Sequence, residues 1–215
     1  MAQYNVGVMY DEGTGVDRDA AKVVGWWRKA ADQGHLTAQH NLALLFIERG
    51  GAGDFRKAAH WLKHAAADGF VFSQYSLAKL YATGLGVEKD DARALDLFLE
   101  AGNAGFVKAQ YNLGKIYRDG IGVAADPVVS VDWFSKAAKQ GYAKAQEKLA
   151  IRFARGSGVQ RDTTEALKWA ILAKQAGRAS AQKVLNQLRE SMSQRQIAEA
   201  QRRARAFRPS PESRQ

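Results

Sequence analysis

The chain repeats one pattern with a period of about 36 residues. Small residues occupy one column of this repeat, at Ala2, Ala38, Ser73, Ala109, Ala145 and Ala181. An aliphatic column follows four residues later, at Val6, Leu42, Leu77, Leu113, Leu149 and Leu185. An aromatic column comes next, at Tyr10, Phe46, Tyr81, Tyr117 and Phe153. A fixed period of this length is typical of solenoid proteins. One such unit cannot bury its apolar face alone, so the pattern predicts a stack of units.

Each unit is predicted to form two antiparallel helices. Ala109, Leu113 and Tyr117 recur every four residues, which places them on one face of a first helix. A Gly-x-Gly-Val loop follows in four units, and its glycines permit the positive φ that reverses the chain. We expect the Asp that comes next to cap the second helix, at Asp19, Asp54, Asp90, Asp126 and Asp162. Glu165, three residues after Asp162, predicts a capping box.

The second helix of each unit carries a bulky apolar column and ends at a glycine. We expect packing to bury this column, at Trp26, Trp61, Leu97, Trp133 and Trp169. These patterns predict an all-α, right-handed α-α superhelix (solenoid) of about five helix-turn-helix repeats plus a C-terminal capping helix pair. The predicted single solenoid domain covers residues 1–190, with repeats 2–37, 38–72, 73–108, 109–144 and 145–180 and a partial repeat 181–190. A capping helix over 191–208 and a disordered tail over 209–215 follow.

The order of residues from Ala109 to Gly141 resembles a known repeat family. It runs Ala-x3-Leu-Gly-x2-Tyr-x2-Gly-x-Gly-Val-x2-Asp and then Trp-x2-Lys-Ala-Ala-x2-Gly. This order is similar to the Sel1-like repeat (SLR) family, a relative of the tetratricopeptide solenoids, and the resemblance covers residues 2–180. It implies a non-catalytic adaptor that binds a partner protein or peptide. Repeat 2 departs from the pattern because its loop over residues 49–53 is one residue short and lacks the Val, and repeat 3 departs at Leu97 and Gly102.

Composition excludes several classes of protein. The chain has 215 residues, 46% of them hydrophobic, and no Cys, which excludes disulfides, thiol catalysis and cysteine-bound metal. No run of about 18 apolar residues occurs, so no transmembrane segment is predicted. Met1 stands directly before a first helix with no room for a cap or a signal peptide, and we expect the native chain to continue upstream. The sequence does not distinguish a cytoplasmic from a periplasmic or exported protein.

No motif for catalysis, metal or cofactor stands out. His60 and His64 lie four residues apart, but no neighbouring Glu completes a zinc-protease motif. The Gly-x-Gly loops lack the third glycine and the preceding strand of a dinucleotide site. No Ser, His and Asp set suggests a triad. The prediction is therefore a protein without catalytic residues, metal or cofactor.

The candidate binding residues repeat beside the buried stripe of the first helices. They are Tyr4, Asn5, His40, Asn41, Tyr75, Ser76, Tyr111 and Asn112, with Lys79 and Lys115 one turn further on. In tetratricopeptide-like folds the first helices line the concave wall, where Asn side chains can pair with the backbone of an extended peptide. The alternative is that these Asn side chains bond neighbouring helices and the tyrosines fill gaps between repeats. Both interpretations stay open at this stage.

The C-terminal segment is basic and predicts a last helix. Ser193 and Gln196 predict its capping box. Its apolar stripe contains Ile197, Ala200, Ala204 and Phe207. Nine Lys or Arg against three Asp or Glu follow from Arg178 onward. The residues Arg202, Arg203 and Arg205 are candidates for binding an anion, either nucleic acid or an acidic membrane, or else form the solvated face of a cap. Nucleic acid is the less favoured partner because no nucleic-acid motif is present. A regulatory segment of a larger protein is a third hypothesis.

Overall fold

The computed structural model describes residues 1–210 of the chain. Within these residues the backbone forms twelve α-helices and no β-strand, which confirms the predicted all-α class. The helices are α1 (Ala2–Glu12), α2 (Ala20–Ala31), α3 (Leu36–Arg49), α4 (Ala52–Ala67), α5 (Val71–Thr83), α6 (Asp91–Asn103), α7 (Val107–Asp119), α8 (Pro127–Lys139), α9 (Ala143–Arg155), α10 (Thr163–Gln175), α11 (Ala181–Glu190) and α12 (Gln194–Ala206).

First and second helices pack as pairs. Helix α1 packs against α2, α3 against α4, α7 against α8, and α9 against α10. The residue directly after the aliphatic column is Gly7 in the first repeat and Gly114 in the fourth, and its small size makes this packing possible. A Cβ atom added to Gly7 would lie 2.2 Å from Trp27 Cδ1, and one added to Gly114 would lie 2.5 Å from Phe134 Cδ1. The predicted helix hairpins are therefore confirmed in these four pairs.

The loop inside a repeat closes through a backbone hydrogen bond. The N–H of the predicted capping Asp donates to the carbonyl of the aromatic column. These bonds join Asp19 to Tyr10, Asp90 to Tyr81, Asp126 to Tyr117 and Asp162 to Phe153, at 2.7 to 3.2 Å. The carboxylates of the same four Asp residues accept N–H bonds from the first turn of the second helix, which confirms four of the five predicted caps.

Two predicted features of the helix starts are wrong. Asp54 does not cap α4, because the short loop lets the helix begin at Ala52 with Gly51 at the N-cap; Asp54 lies in the first turn and pairs with Lys57 at 3.2 Å. Glu165 does not complete a capping box with Asp162. The Asp162 N–H already donates to the Phe153 carbonyl, and the Glu165 carboxylate pairs with Lys168.

The residue contacts divide the chain into two compact units. The single domain over residues 1–190 remains a prediction. Unit 1, Met1–Ala101, contains α1 to α5 and most of α6. In its first repeat Trp27 is buried and Trp26 is only half-buried, because Trp27 is the side chain that lies over Gly7. Consecutive repeats approach closely through their loops: a Cβ atom added to Gly86 would lie 2.2 Å from the carbonyl oxygen of Phe55.

Unit 2 begins at Gly102 and contains α7 to α12. Its core is one cluster that includes Phe134, Leu149, Leu167 and Leu185. The loop contact recurs here, since a Cβ atom added to Gly158 would lie 2.0 Å from the carbonyl oxygen of Pro127. Gly102, where an Ala was expected from the repeat, leaves room for Leu113 and Trp133, because an added Cβ would lie 2.6 Å from Leu113 Cδ1.

The C-terminal helices cover one end of unit 2. Both α11 and α12 pack on α10. Ser193 and Gln196 form the predicted capping box, and the buried Ala200 and Ala204 confirm the predicted apolar stripe. The sequence predicts disorder from Pro209, whereas the Ser210 N–H donates to the carbonyl of Lys139 at 2.9 Å. The tail is therefore held by the backbone as far as residue 210. Residues 211–215, the rest of the predicted disordered tail, lie outside the described residues.

Candidate functional site

The predicted binding residues lie on the first helices, and we call this surface the first-helix face of each unit. In unit 1 the face includes Tyr4, Asn5, His40, Asn41, Tyr75, Ser76 and Lys79. In unit 2 it includes Tyr111, Asn112 and Lys115. Several of these side chains have partners inside the fold.

Tyr4 and Asn41 bind each other across neighbouring repeats of unit 1. The Asn41 side-chain amide donates to the Tyr4 hydroxyl at 3.1 Å. The Tyr4 ring stacks on His35, with centroids 4.7 Å apart, and lies 6.0 Å from Trp27. The hydrogen bond and the ring stacking join α1 to α3 and to its N-cap residue, His35. It supports the interpretation that these positions hold repeats together.

His40 is also engaged within unit 1. Its Nδ1 atom lies 3.0 Å from the Ser73 hydroxyl oxygen, and its ring centroid lies 5.5 Å from that of Phe70. Burial lowers the pKa of His40 to about 4, so its imidazole is neutral near pH 7. His40 therefore contributes no positive charge to the face.

The remaining predicted positions of unit 1 differ in exposure. The Tyr75 ring packs 5.8 Å from that of Phe98. Asn5 and Lys79 are exposed, and Ser76 is half-buried. Only the exposed pair of these four offers a polar group fully to solvent.

In unit 2 the first-helix face combines an aromatic pair and an ion pair. The Tyr111 ring lies 5.2 Å from Tyr142, and burial together with the Tyr142 hydroxyl raises the pKa of Tyr111. Arg178 donates from Nε and Nη2 to the Glu147 carboxylate at 3.0 and 2.6 Å. Burial raises the pKa of Glu147, but hydrogen bonds from Ser180 and Arg178 outweigh it and hold the pKa below its usual value.

These contacts are one recurring pair that the sequence analysis missed. One member lies on a first helix, and the other directly follows the glycine after the second helix. The pairs are Tyr4–His35, His40–Phe70, Tyr111–Tyr142 and Glu147–Arg178. The sequence does carry the signal: the second member of each pair lies about 31 positions downstream of the first, which is Tyr4, His40, Tyr111 or Glu147. Its members vary in chemistry, which hides the column from a search for identical residues.

A second column that was missed consists of buried glutamines. A Gln follows the small residue of each unit, and in three units its buried side-chain amide donates to a backbone carbonyl eight residues earlier. The bonds are Gln39 to Ala31, Gln110 to Gly102 and Gln146 to Ala138, at 3.1 to 3.3 Å. A buried amide with this partner ties the end of a second helix to the next first helix. These glutamines are structural and are not exposed to a ligand.

The first-helix face of unit 2 is strongly basic. Helices α7 and α9 together carry seven Lys or Arg and only two acidic residues, Asp119 and Glu147. We call five of these cations the basic face: Lys115, Arg118, Lys148, Arg152 and Arg155. The α9 members are spaced i, i+4 and i+7, which places them on one side of the helix.

Only Arg118 among these five has an ion pair within residues 1–210, to Asp119 at 2.6 Å. Burial lowers the pKa of the half-buried Arg152, and repulsion from Arg118 and Arg155 lowers it further, while Asp119 offsets part of this. Lys115, Arg118 and Arg152 all help to lower the pKa of the Asp119 carboxyl, where the bond from Arg118 is the largest cause. Lys115, Arg118, Arg152 and Arg155 therefore lie close to one another around Asp119, and Lys148 lies on the same side of α9.

The predicted anion-binding arginines of α12 are mostly paired. Arg202 donates to Glu199 at 2.6 Å. Arg203 donates to Glu199 at 2.7 Å and to Glu165 at 3.2 Å. Bonds from these arginines lower the pKa of the Glu199 carboxyl. Arg205 is exposed. Two of the three candidates thus already hold carboxylates.

The two histidines that were considered for metal lie together on α4. Their rings are 4.7 Å apart and both side chains are exposed. Across residues 1–210 no group of three or more His, Cys, Asp or Glu is placed to hold a metal ion. His60 and His64 therefore lack the further ligands that a zinc site needs.

No helix in the described part of the chain combines the length and apolar character needed to cross a bilayer.

The sequence and the structure were compared with those of known proteins. Five consecutive matches to the Sel1 repeat model cover residues 1–35, 36–70, 71–106, 107–142 and 143–177. No curated protein sequence shows significant similarity to the chain.

Among solved structures, one match is a protective antigen of uropathogenic Escherichia coli strains that displays an SLR fold. It is 30% identical with a TM-score of 0.86 over 95% of this chain. This chain spans 45% of the length of that antigen. Another is a Sel1 repeat protein from Oxalobacter formigenes, 29% identical with a TM-score of 0.78, where the match covers 93% of this chain and 84% of that one.

Proposed function

The chain belongs to the Sel1 repeat family, whose members are generally non-catalytic scaffolds for protein interactions, and we propose that it binds an acidic segment of a partner protein on the basic face of unit 2. The observation that carries this proposal is the set of five cations on α7 and α9, of which one has an ion pair within the described residues. Unpaired cations on one surface favour an anion of complementary arrangement. Fixed positions on two helices suit an extended acidic segment with several carboxylates.

Two other surfaces support this proposal less well. The first-helix face of unit 1 is nearly neutral, since its helices α1, α3 and α5 carry two cations and three acidic residues. Its His40, Asn41 and Tyr4 side chains have partners inside the unit. Arg202 and Arg203 of α12 already bind Glu199 and Glu165, so an incoming anion would have to compete with these carboxylates for the two arginines. The alternative of an anion site on α12 therefore has weaker support.

Fluorescence anisotropy with a labelled Asp/Glu-rich peptide tests the proposal. We expect binding that weakens with added salt, as for contacts between exposed charges, and no comparable binding of a neutral peptide of equal length. The double variant Lys148→Gln with Arg152→Gln should weaken binding at least about tenfold.

A matched double variant, Lys136→Gln with Lys139→Gln, removes the same charge from the exposed side of α8 in the same unit. It should leave the affinity nearly unchanged, because α8 is a second helix. An equal loss of affinity in the two double variants would show that binding depends only on net charge, and would contradict the proposed site. Loss of binding in Arg202→Gln with Arg205→Gln, with the basic face intact, would move the site to α12.

A further inference from the structure

Unit 1 contains a groove between α2 and α4, the second helices of its first two repeats. We call it the α2–α4 groove. Its volume is about 650 Å³, within the range of small-molecule sites. Val24 and Arg28 of α2 line one side, and Gly53 and Trp61 of α4 line the other. The end of α3 contributes Phe46 and Arg49. The groove lies mainly on the second helices, and none of its lining residues is a predicted binding residue of the first-helix face.

The groove lies where repeat 2 departs from the family pattern. Only residues 50–51 connect α3 to α4, whereas residues 120–126 connect α7 to α8. The loop valine is missing, and the extra first turn of α4 occupies the place of the loop. That turn supplies Gly53, and a Cβ atom added to Gly53 would meet no other atom within 4 Å. Open space therefore adjoins the first turn of α4.

The groove is lined by cations. Arg28, Arg49, Arg56 and Lys57 line it together with His60, and Asp32 is the one acidic residue among its lining side chains. Lys57 pairs with Asp54, while Arg28, Arg49 and Arg56 have no ion pair within the described chain. Arg49 lies over the Phe46 ring, with the guanidinium 5.8 Å from its centroid. Three arginines around one cavity thus form no ion pair within residues 1–210, and Asp32 is the one carboxylate that lines the cavity with them.

We propose that the α2–α4 groove binds an oligophosphate anion. The planar fork of an arginine matches the oxygens of a phosphate group in a bidentate fashion. Several cations around one cavity match an anion that carries several charges better than they match a single carboxylate. The short loop of repeat 2 would then be the feature that creates a ligand site, in place of a defect in the repeat.

Isothermal titration calorimetry with inorganic pyrophosphate and tripolyphosphate at physiological salt tests this proposal. We expect saturable binding with one site per chain and a tighter affinity for tripolyphosphate. Arg28→Gln with Arg56→Gln should weaken both affinities at least about tenfold. Heat signals equal to those of sulfate at the same ionic strength would overturn the proposal.

A second variant blocks the groove without removing charge. Gly53→Leu places a side chain in the open space beside α4, and replacing a glycine inside a helix does not destabilise that helix. Its unfolding midpoint should be equal to or above that of the unchanged chain, while its phosphate affinity falls about tenfold. Full phosphate affinity in a folded Gly53→Leu variant would contradict the proposal.

The double variant of the basic face, Lys148→Gln with Arg152→Gln, separates this proposal from the first. It should lose the acidic peptide and keep pyrophosphate. Loss of pyrophosphate in that variant would place phosphate on unit 2 and reject the α2–α4 groove, whatever the peptide result.

Discussion

The two units use the same positions of their first-helix faces for different chemistry. In unit 1 the recurring pair is neutral: Tyr4 stacks on His35, and His40 packs on Phe70. In the last full repeat of unit 2 the pair is ionic, between Glu147 and Arg178. The repeat therefore fixes where two side chains meet but not how they bind. The charge of the first helices differs as well: α7 and α9 of unit 2 carry seven Lys or Arg against two acidic residues, whereas α1, α3 and α5 of unit 1 carry two against three.

The largest expected difference between the two units is their response to mild acid. The pKa of His40 is about 4 in the folded chain and about 6.5 in an unfolded one, so protonation favours unfolding. The stabilisation of the folded chain by neutral His40 is fully present above about pH 6.5 and is lost as the pH falls to about 4. Because His40 is not completely buried, we expect the free energy of unfolding to fall by at most about 3 kcal/mol. Urea denaturation of the chain and of His40→Gln across this range measures it.

The control for this prediction is His64→Gln, which changes an exposed histidine of the same unit. It should keep the acid sensitivity of the unchanged chain, while His40→Gln should lose part of it. The Glu147 pair acts in a lower window. Its carboxyl has a lowered pKa, so its contribution is present above the unfolded pKa and disappears as the pH falls through the folded pKa. An identical pH dependence in His40→Gln and the unchanged chain would contradict the prediction.

Removing the two members of the ionic pair should have unequal costs. Arg178→Ala leaves a carboxylate whose side chain is only 8% exposed, and we expect a loss of about 2 to 3 kcal/mol. Glu147→Ala leaves an arginine that is 36% exposed and can reach water, and we expect a loss of about 1 kcal/mol. Urea midpoints of the two variants measure the difference. Equal costs would show that Glu147 is better solvated than its burial indicates.

The neutral contact of unit 1 should be weaker than the ionic contact of unit 2. Asn41→Ala and Tyr4→Phe each remove the hydrogen bond at 3.1 Å, and each should cost about 1 kcal/mol. The double variant should cost less than the sum of the two, because both substitutions remove one shared bond. A double-mutant cycle with no coupling would indicate that the two side chains do not interact in solution.

The smallest effect is expected on the basic face, with the opposite sign. Arg152→Gln relieves repulsion from Arg118 and Arg155, and should stabilise unit 2 by about 0.3 kcal/mol at low salt. Added salt should erase this gain. The same variant should bind the acidic peptide less well. A destabilised Arg152→Gln would show that this arginine serves packing within the unit.

Most of the fold could be predicted from the sequence because the repeat supplies several aligned copies of each signal. The small column, the glycine loops and four Asp caps are local features, and each depends on residues within one helix turn or one loop. Asp54 was the exception, because one missing residue in the loop of repeat 2 moved the start of α4 upstream. A cap prediction assumes a helix start, and a deletion changes that start.

The candidate site was less predictable because its contacts lie between repeats. The column that contains Asn5, Asn41 and Asn112 was visible, but the partner of Asn41 is a tyrosine one repeat earlier on a neighbouring helix. Of the basic face only Lys115 was predicted, although the charges of Arg118, Lys148, Arg152 and Arg155 are plain in the sequence. A repeat pattern indicates only residues that recur in every unit. Arg152 does not recur, because the preceding repeat has the apolar Ile116 at the same position.

The loop glycines Gly86 and Gly158 set the spacing of neighbouring helix pairs by main-chain approach to Phe55 and Pro127. Because backbone atoms define that distance, the side chains outside the core do not have to maintain it. Substitutions on the exposed surfaces can accumulate without altering how the scaffold is assembled. A protein built in this way can acquire a new partner by a few surface changes while its architecture is inherited intact.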